Sequence, residues 1–132
     1  MGSVIVFETH SVTEDNERGF ATGWLPGRVS ASGREYARLL GQRRRDDNLS
    51  AVFVSDLHRA VETAELAFGS TGIPVLHDWR LRECDYGELN GAPRDAVHAD
   101  RLRWLDEPYP GGESWRQAVR RAAGFLVDVP TR

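Results

Sequence analysis

Ala51-Val52-Phe53-Val54-Ser55-Asp56-Leu57-His58-Arg59-Ala60-Val61-Glu62-Thr63-Ala64-Glu65-Leu66-Ala67-Phe68 changes its period part of the way along. Ala51 to Val54 form an unbroken apolar run, the pattern of a strand covered on both faces. From Leu57 onward Ala60, Val61, Ala64 and Phe68 recur at spacings of three and four, which predicts a helix burying one face. Ser55 and Asp56 carry short oxygen-bearing side chains suited to capping that helix, and Gly69 and Gly72 close it. A strand feeding directly into a helix is half of a βαβ unit, so further strands are expected on either side.

They are found in both directions. Ile73 to Leu76 reads as a short strand after the helix, and Val4 to Phe7 as another buried strand near the N-terminus. Between Val4–Phe7 and Ala51–Val54, a polar loop through Gly19, Gly23, Trp24, Pro26 and Gly27 leads to a helix starting near Ser30 or Ser32. Ser32 with Glu35 makes a capping box, Tyr36, Leu39 and Leu40 supply the apolar stripe, and Asp46 and Asp47 end it. After Leu76 comes an irregular passage holding Trp79, Leu81, Glu83, Tyr86 and Gly87. A helix is then predicted from Pro93 to about Leu105. Pro108, Pro110, Gly111 and Gly112 interrupt the chain. Ser114 with Gln117 forms a capping box for a last helix lined by Trp115, Ala118, Val119, Ala122, Leu126 and Val129, with Pro130 as its stop. This order predicts one α/β domain over residues 1–132, a mostly parallel sheet flanked by helices.

Composition narrows the partners. The chain has 132 residues, 40% of them hydrophobic, and a formal net charge of -3. That balance offers no basic face for nucleic acid or an anionic membrane surface. Arg43, Arg44 and Arg45 are followed at once by Asp46 and Asp47, the pattern of a solvated helix end. One cysteine, Cys84, leaves neither a disulfide framework nor a cysteine-based metal pattern. Neither an export signal nor a membrane-spanning stretch is visible, and a cytoplasmic protein is expected.

In such a sheet the carboxyl ends of the strands share one edge, where ligands gather. His10 follows the first strand, Asp56 and Arg59 follow the second, and Glu83 follows the third. Free amides at a helix N-terminus and an arginine fork both suit a phosphate. A neutral imidazole can attack phosphorus, and a carboxylic acid can protonate the departing oxygen. Each residue also has a plainer reading: a loop histidine, a surface ion pair, a solvated acid. Glu113 is read as a first-turn charge for the last helix, Tyr86, Trp79 and Trp104 as core or rim, and His58, His77 and His98 as surface histidines.

Four segments together resemble the histidine phosphatase superfamily, also called phosphoglycerate mutase-like. Ser55-Asp56-Leu57-His58-Arg59-Ala60-Val61-Glu62-Thr63-Ala64 matches its Ser-Asp-Leu-x-Arg-Ala-x-x-Thr-Ala signature. Thr9-His10-Ser11-Val12-Thr13 with Asn16 stands where the family has Arg-His-Gly-Glu-Thr and a later asparagine. Leu81-Arg82-Glu83 with Gly87 and Gly91 matches a third element, and Pro110-Gly111-Gly112-Glu113-Ser114 a fourth. The resemblance implies a phosphatase of a small phosphomonoester: His10 forms a phosphohistidine, Glu83 is the proton donor, and Arg59, Asn16, Thr9 and Ser11 occupy phosphate-binding positions, without metal or cofactor. A mutase fits less well, since no extended insertion is present to enclose a site and exclude water.

Two departures stand out. Thr9 replaces the arginine before the histidine, and loss of one donor to a developing oxyanion commonly costs on the order of a hundred- to a thousand-fold in rate. Family members also carry a second histidine on a strand after the Gly-Glu-Ser helix, whereas this chain ends at Arg132. A domain incomplete at its C-terminus, lacking a strand and a helix, is therefore expected; His77 is a poorly placed stand-in for the second histidine. The same departures carry an alternative, a weakened or inactive member that binds anions or partners. Exchange of strands in a homodimer is a further arrangement open to such a chain.

Overall fold

Two parallel strands, β1 (Val52–Val54) and β2 (Val75–His77), pair with Val52 opposite Val75, Phe53 opposite Leu76 and Val54 opposite His77 in the computed structural model, which describes residues 3–129. The helix between them, α3 (His58–Phe68), buries Arg59, Thr63, Ala64 and Phe68. A second helix, α2 (Ala31–Arg43), packs on α3 where Gly41 meets the backbone of Ala67; a Cβ on Gly41 would come within 2.2 Å of the Ala67 carbonyl oxygen. The period change at Ser55 thus produces the βαβ unit it predicts.

The other half is organised by aromatic rings. Tyr86, Trp104 and Tyr109 bury with Cys84, Val97 and Ala118, Trp104 stacking on Tyr109 at 4.8 Å between ring centres. The Tyr109 hydroxyl donates to the Val97 carbonyl at 3.0 Å and accepts from Trp115 Nε1 at 3.2 Å. One phenol therefore ties together the short helix α4 (Arg94–His98) and the long α5 (Trp115–Asp128). The expected Ser114–Gln117 capping box is formed at the start of α5; its expected stop at Pro130 lies outside the described residues. Among the described residues no helix is long and apolar enough to cross a membrane.

Several local expectations are corrected. Val4–Phe7 is not a buried strand: it belongs to neither strand of the sheet, and Val4 and Phe7 are 91% and 87% exposed. Its apolar run is real, but a strand is made by ladder bonds to a neighbour, and among the described residues none is formed with it. α2 is capped by Ser30, whose oxygen accepts from Gly33 N at 3.0 Å, while the Ser32 hydroxyl donates to Glu17. Leu57 caps α3 without a side-chain bond, and Ser55 Oγ accepts from Leu57 N in a tight turn before it. The helix expected from Pro93 to Leu105 ends at His98, because Ala99 is extended and Asp100 adopts φ +51°. That break lets Val97 and Trp104 both reach the aromatic cluster. A short helix, α1 (Glu14–Arg18), sits where a loop was expected, capped by Thr13 and Asn16 in a reciprocal box.

Candidate active site

His10 is held by a relay of hydrogen bonds that begins on α3. The Arg59 carbonyl accepts from the Thr63 hydroxyl at 2.7 Å, Thr63 Oγ1 accepts from Ser11 N at 3.0 Å, and the Ser11 hydroxyl donates to the Gly33 carbonyl at 2.6 Å. Gly33 is required here, since a Cβ on it would fall 2.0 Å from the Val12 carbonyl oxygen. The loop after Val4–Phe7 is thereby fastened to α2 and α3 at once. His10 Nδ1 lies 2.6 Å from the Ser11 carbonyl, which can only accept; Nδ1 carries the proton and the Nε2 lone pair is free. Burial pushes the imidazole below the ordinary histidine range and Arg59 acts in the same direction, while the Ser11 bond and Glu83 oppose them. A neutral ring with a free Nε2 is the form a nucleophile requires.

Arg59 is 4% exposed, and its Nη1 is buried with no hydrogen-bond partner. Burial lowers its proton affinity, opposed by the charge of Glu83. An unpaired guanidinium nitrogen in a low-dielectric setting is costly unless an anion completes it. His10, Arg59 and Glu83 converge on one cavity of about 110 Å³, shared with Asn16, Tyr86, Arg94 and His98. Three residues that the sequence separates by dozens of positions therefore share one site.

The other expected positions divide. Asn16 lines the cavity, and its Oδ1 is taken by Thr13 N, which leaves the Nδ2 donor available. Thr9 is exposed and lines no part of the cavity; Ser11 is buried with its hydroxyl turned to Gly33. Ser11 fastens the loop rather than facing the cavity. His77 ends β2, exposed and outside the site. Asp56 is paired to Arg82 in a two-pronged bond of 2.6 and 2.5 Å.

Sequence reasoning missed residues on the far wall. His98, read as a surface histidine, is half-buried in the cavity wall with Nδ1 buried and unpaired. Arg94 adds a second cation. Tyr86 is core, as read, yet it also touches the site: burial and the adjacent Glu83 push its phenol well above the usual tyrosine range. Neither Arg94 nor His98 belongs to a spaced motif; only the pairing of residues 19–21 with 91–94 carries α4 to the site. Cys84, pushed up to about 12 by burial and the charges of Glu113 and Glu83, is a packing residue. Among the described residues no group of three or more His, Cys, Asp or Glu side chains is arranged to hold a metal ion.

Comparison with known proteins places the chain among its relatives. A 2,3-bisphosphoglycerate-dependent phosphoglycerate mutase of Bradyrhizobium sp. (strain ORS 278) is 33% identical over 94% of this chain, which spans 66% of that relative's length. The solved structure of Bacillus stearothermophilus YhfR superposes with a TM-score of 0.79 at 29% identity, covering 91% of this chain and 63% of the other. A mycobacterial glucosyl-3-phosphoglycerate phosphatase gives 0.78 at 28% identity, with 91% and 60% covered. The chain is thus shorter than the mutase and phosphatase relatives it matches. The family pattern itself matches residues 5–132, and the chain belongs to the histidine phosphatase superfamily, branch 1.

Proposed function

We propose that the chain hydrolyses a small phosphomonoester through a phosphohistidine on His10. The observation that carries this reading is Arg59, buried with its Nη1 unpartnered, lining the cavity that also holds His10 and Glu83. A phosphate oxygen would complete that nitrogen, with Asn16 Nδ2 as a further donor. His10 Nε2 then attacks phosphorus; the P–N bond forms as the bond to the ester oxygen breaks. Glu83, as the acid, passes its proton to the departing alkoxide. Water next attacks the phosphohistidine, gives its proton to the Glu83 carboxylate, and releases phosphate with His10 neutral again.

A second reading, an anion-binding member with weak or no turnover, is favoured by Thr9, which is exposed and supplies no charge to the cavity. Intact mass measured during incubation with acetyl phosphate separates the two. An acid-labile phosphate adduct that is absent from His10→Ala, together with steady release of phosphate, supports the phosphatase; phosphate binding with neither adduct nor release leaves the binding reading.

A further inference from the structure

Glu83 lies in irregular backbone between two single 3₁₀ turns, Trp79–Leu81 and Gly87–Leu89, a stretch with no regular ladder of its own. What immobilises it comes from α5. Arg121, with 8% of its side chain exposed, donates through Nη1 to the Arg80 and Arg82 carbonyls at 2.9 and 2.7 Å and through Nη2 to the Glu83 carbonyl at 2.8 Å. Its remaining hydrogens meet Glu113, Nε at 2.9 Å and Nη2 at 2.8 Å. A guanidinium has five N–H donors, and here each has an acceptor. Glu113 completes the frame by accepting from Asp85 N at 3.0 Å.

The Glu83 carbonyl is gripped twice. Trp24 Nε1 donates to it at 2.7 Å from the loop before α2, and the Trp24 ring lies under the Arg82 guanidinium at 4.6 Å. Helix and loop thus hold one peptide from two sides, while the Glu83 side chain lines the cavity with His10 and Arg59. Lysine could not replace the fork, having three donors on one nitrogen.

Resting on the reading that Glu83 is the proton donor, we infer that Arg121, supported by Glu113 and Trp24, is a positioning residue for protonation of the leaving group. It touches no reacting atom; it fixes the backbone from which the acid reaches. A positioned acid contributes about 10²- to 10⁴-fold, and a displacement near 1 Å forfeits about 10²-fold of such an effect. The loss falls where the proton is needed: an alkyl phosphate, whose alkoxide leaves poorly, depends on the acid, whereas p-nitrophenyl phosphate releases a stable phenolate without one.

The test compares glycerol phosphate with p-nitrophenyl phosphate for the wild type, Glu83→Gln, Arg121→Lys and Trp24→Phe, with circular dichroism on each. Arg121→Lys is expected to lower kcat/KM, which reports only the steps through phosphohistidine formation and so excludes the shared hydrolysis step, by about 10- to 100-fold for glycerol phosphate and by less than about threefold for the aryl ester. Trp24→Phe, which removes one N–H and keeps the ring, moves the ratio the same way by about three- to tenfold. Should Arg121→Lys fail to fold, Trp24→Phe alone decides. Equal losses on both esters would overturn the inference and leave Arg121 purely structural. A wild type that turns over neither ester, with no adduct on His10, would remove the phosphatase reading itself and this inference with it.

Discussion

Arg59 and Arg121 are both buried arginines, and the structure treats them in opposite ways. Around Arg121 every donor finds an oxygen: two on Glu113 and one each on Arg80, Arg82 and Glu83. Around Arg59 the enclosing residues leave Nη1 buried and unpaired. A fold can afford the first for rigidity, since a fully hydrogen-bonded buried charge holds its surroundings in one arrangement. The second leaves a donor unused in the free protein and is intelligible as a place prepared for a ligand. One region is complete in itself; the other is completed by what it binds.

Breaking that contrast should separate activity from stability. Arg59→Met is expected to lower kcat/KM on the order of 10³-fold or more, by losing the buried guanidinium beside His10, without lowering the thermal midpoint. Initial rates and a melting curve on the same sample check both halves; a large fall in the midpoint would mean that Arg59 is structural after all. Arg121→Met should do the reverse in stability, costing up to about 3 kcal/mol because five hydrogen bonds are lost and the half-buried Glu113 loses its cation, readable as a shifted urea midpoint. Inorganic phosphate sharpens the comparison further. At about 100 times its dissociation constant it should add about 2.7 kcal/mol to the wild type and nothing to Arg59→Met, which differential scanning calorimetry can follow.

The smallest expected effect is a slope. Burial holds the His10 imidazole below its ordinary value, so the unfolded chain binds that proton more tightly than the folded one. Stability is then whole above the unfolded value, near 6.5, and declines as pH falls from there toward the lower folded value. Urea midpoints between pH 7.5 and 5 should fall more steeply for the wild type than for His10→Asn. On the proposed mechanism, the same shift should keep His10 neutral and phosphate release active into mildly acidic solution, which a pH–rate profile checks.

Much of this site was legible in the residues. The period change at Ser55 announces β1 and α3, and with them the position of Arg59, because strand and helix periodicities are local properties of a dozen residues. The Ser114–Gln117 box marks α5 for the same reason. Val4–Phe7 shows the limit: its apolar run states a wish for burial, while pairing depends on a strand that only distance in space can bring alongside. Ser11 shows another. Its place beside His10 suggested a ligand contact, but the approach of α2 at Gly33 claimed its hydroxyl.

By itself, then, the sequence determined the α/β class and the βαβ unit, which have local causes, and singled out His10, Arg59 and Glu83 as candidates, Glu83 through the family resemblance rather than through spacing. Only the tertiary structure decided that these three share a cavity, that Arg94 and His98 wall it, that Arg59 stands unpaired, and that Arg121 grips the Glu83 loop. Those are relations between segments distant in the chain, Arg121 and Glu83 being 38 residues apart. They follow from which surfaces pack and which polar groups run out of partners, and neither quantity exists until the chain has folded.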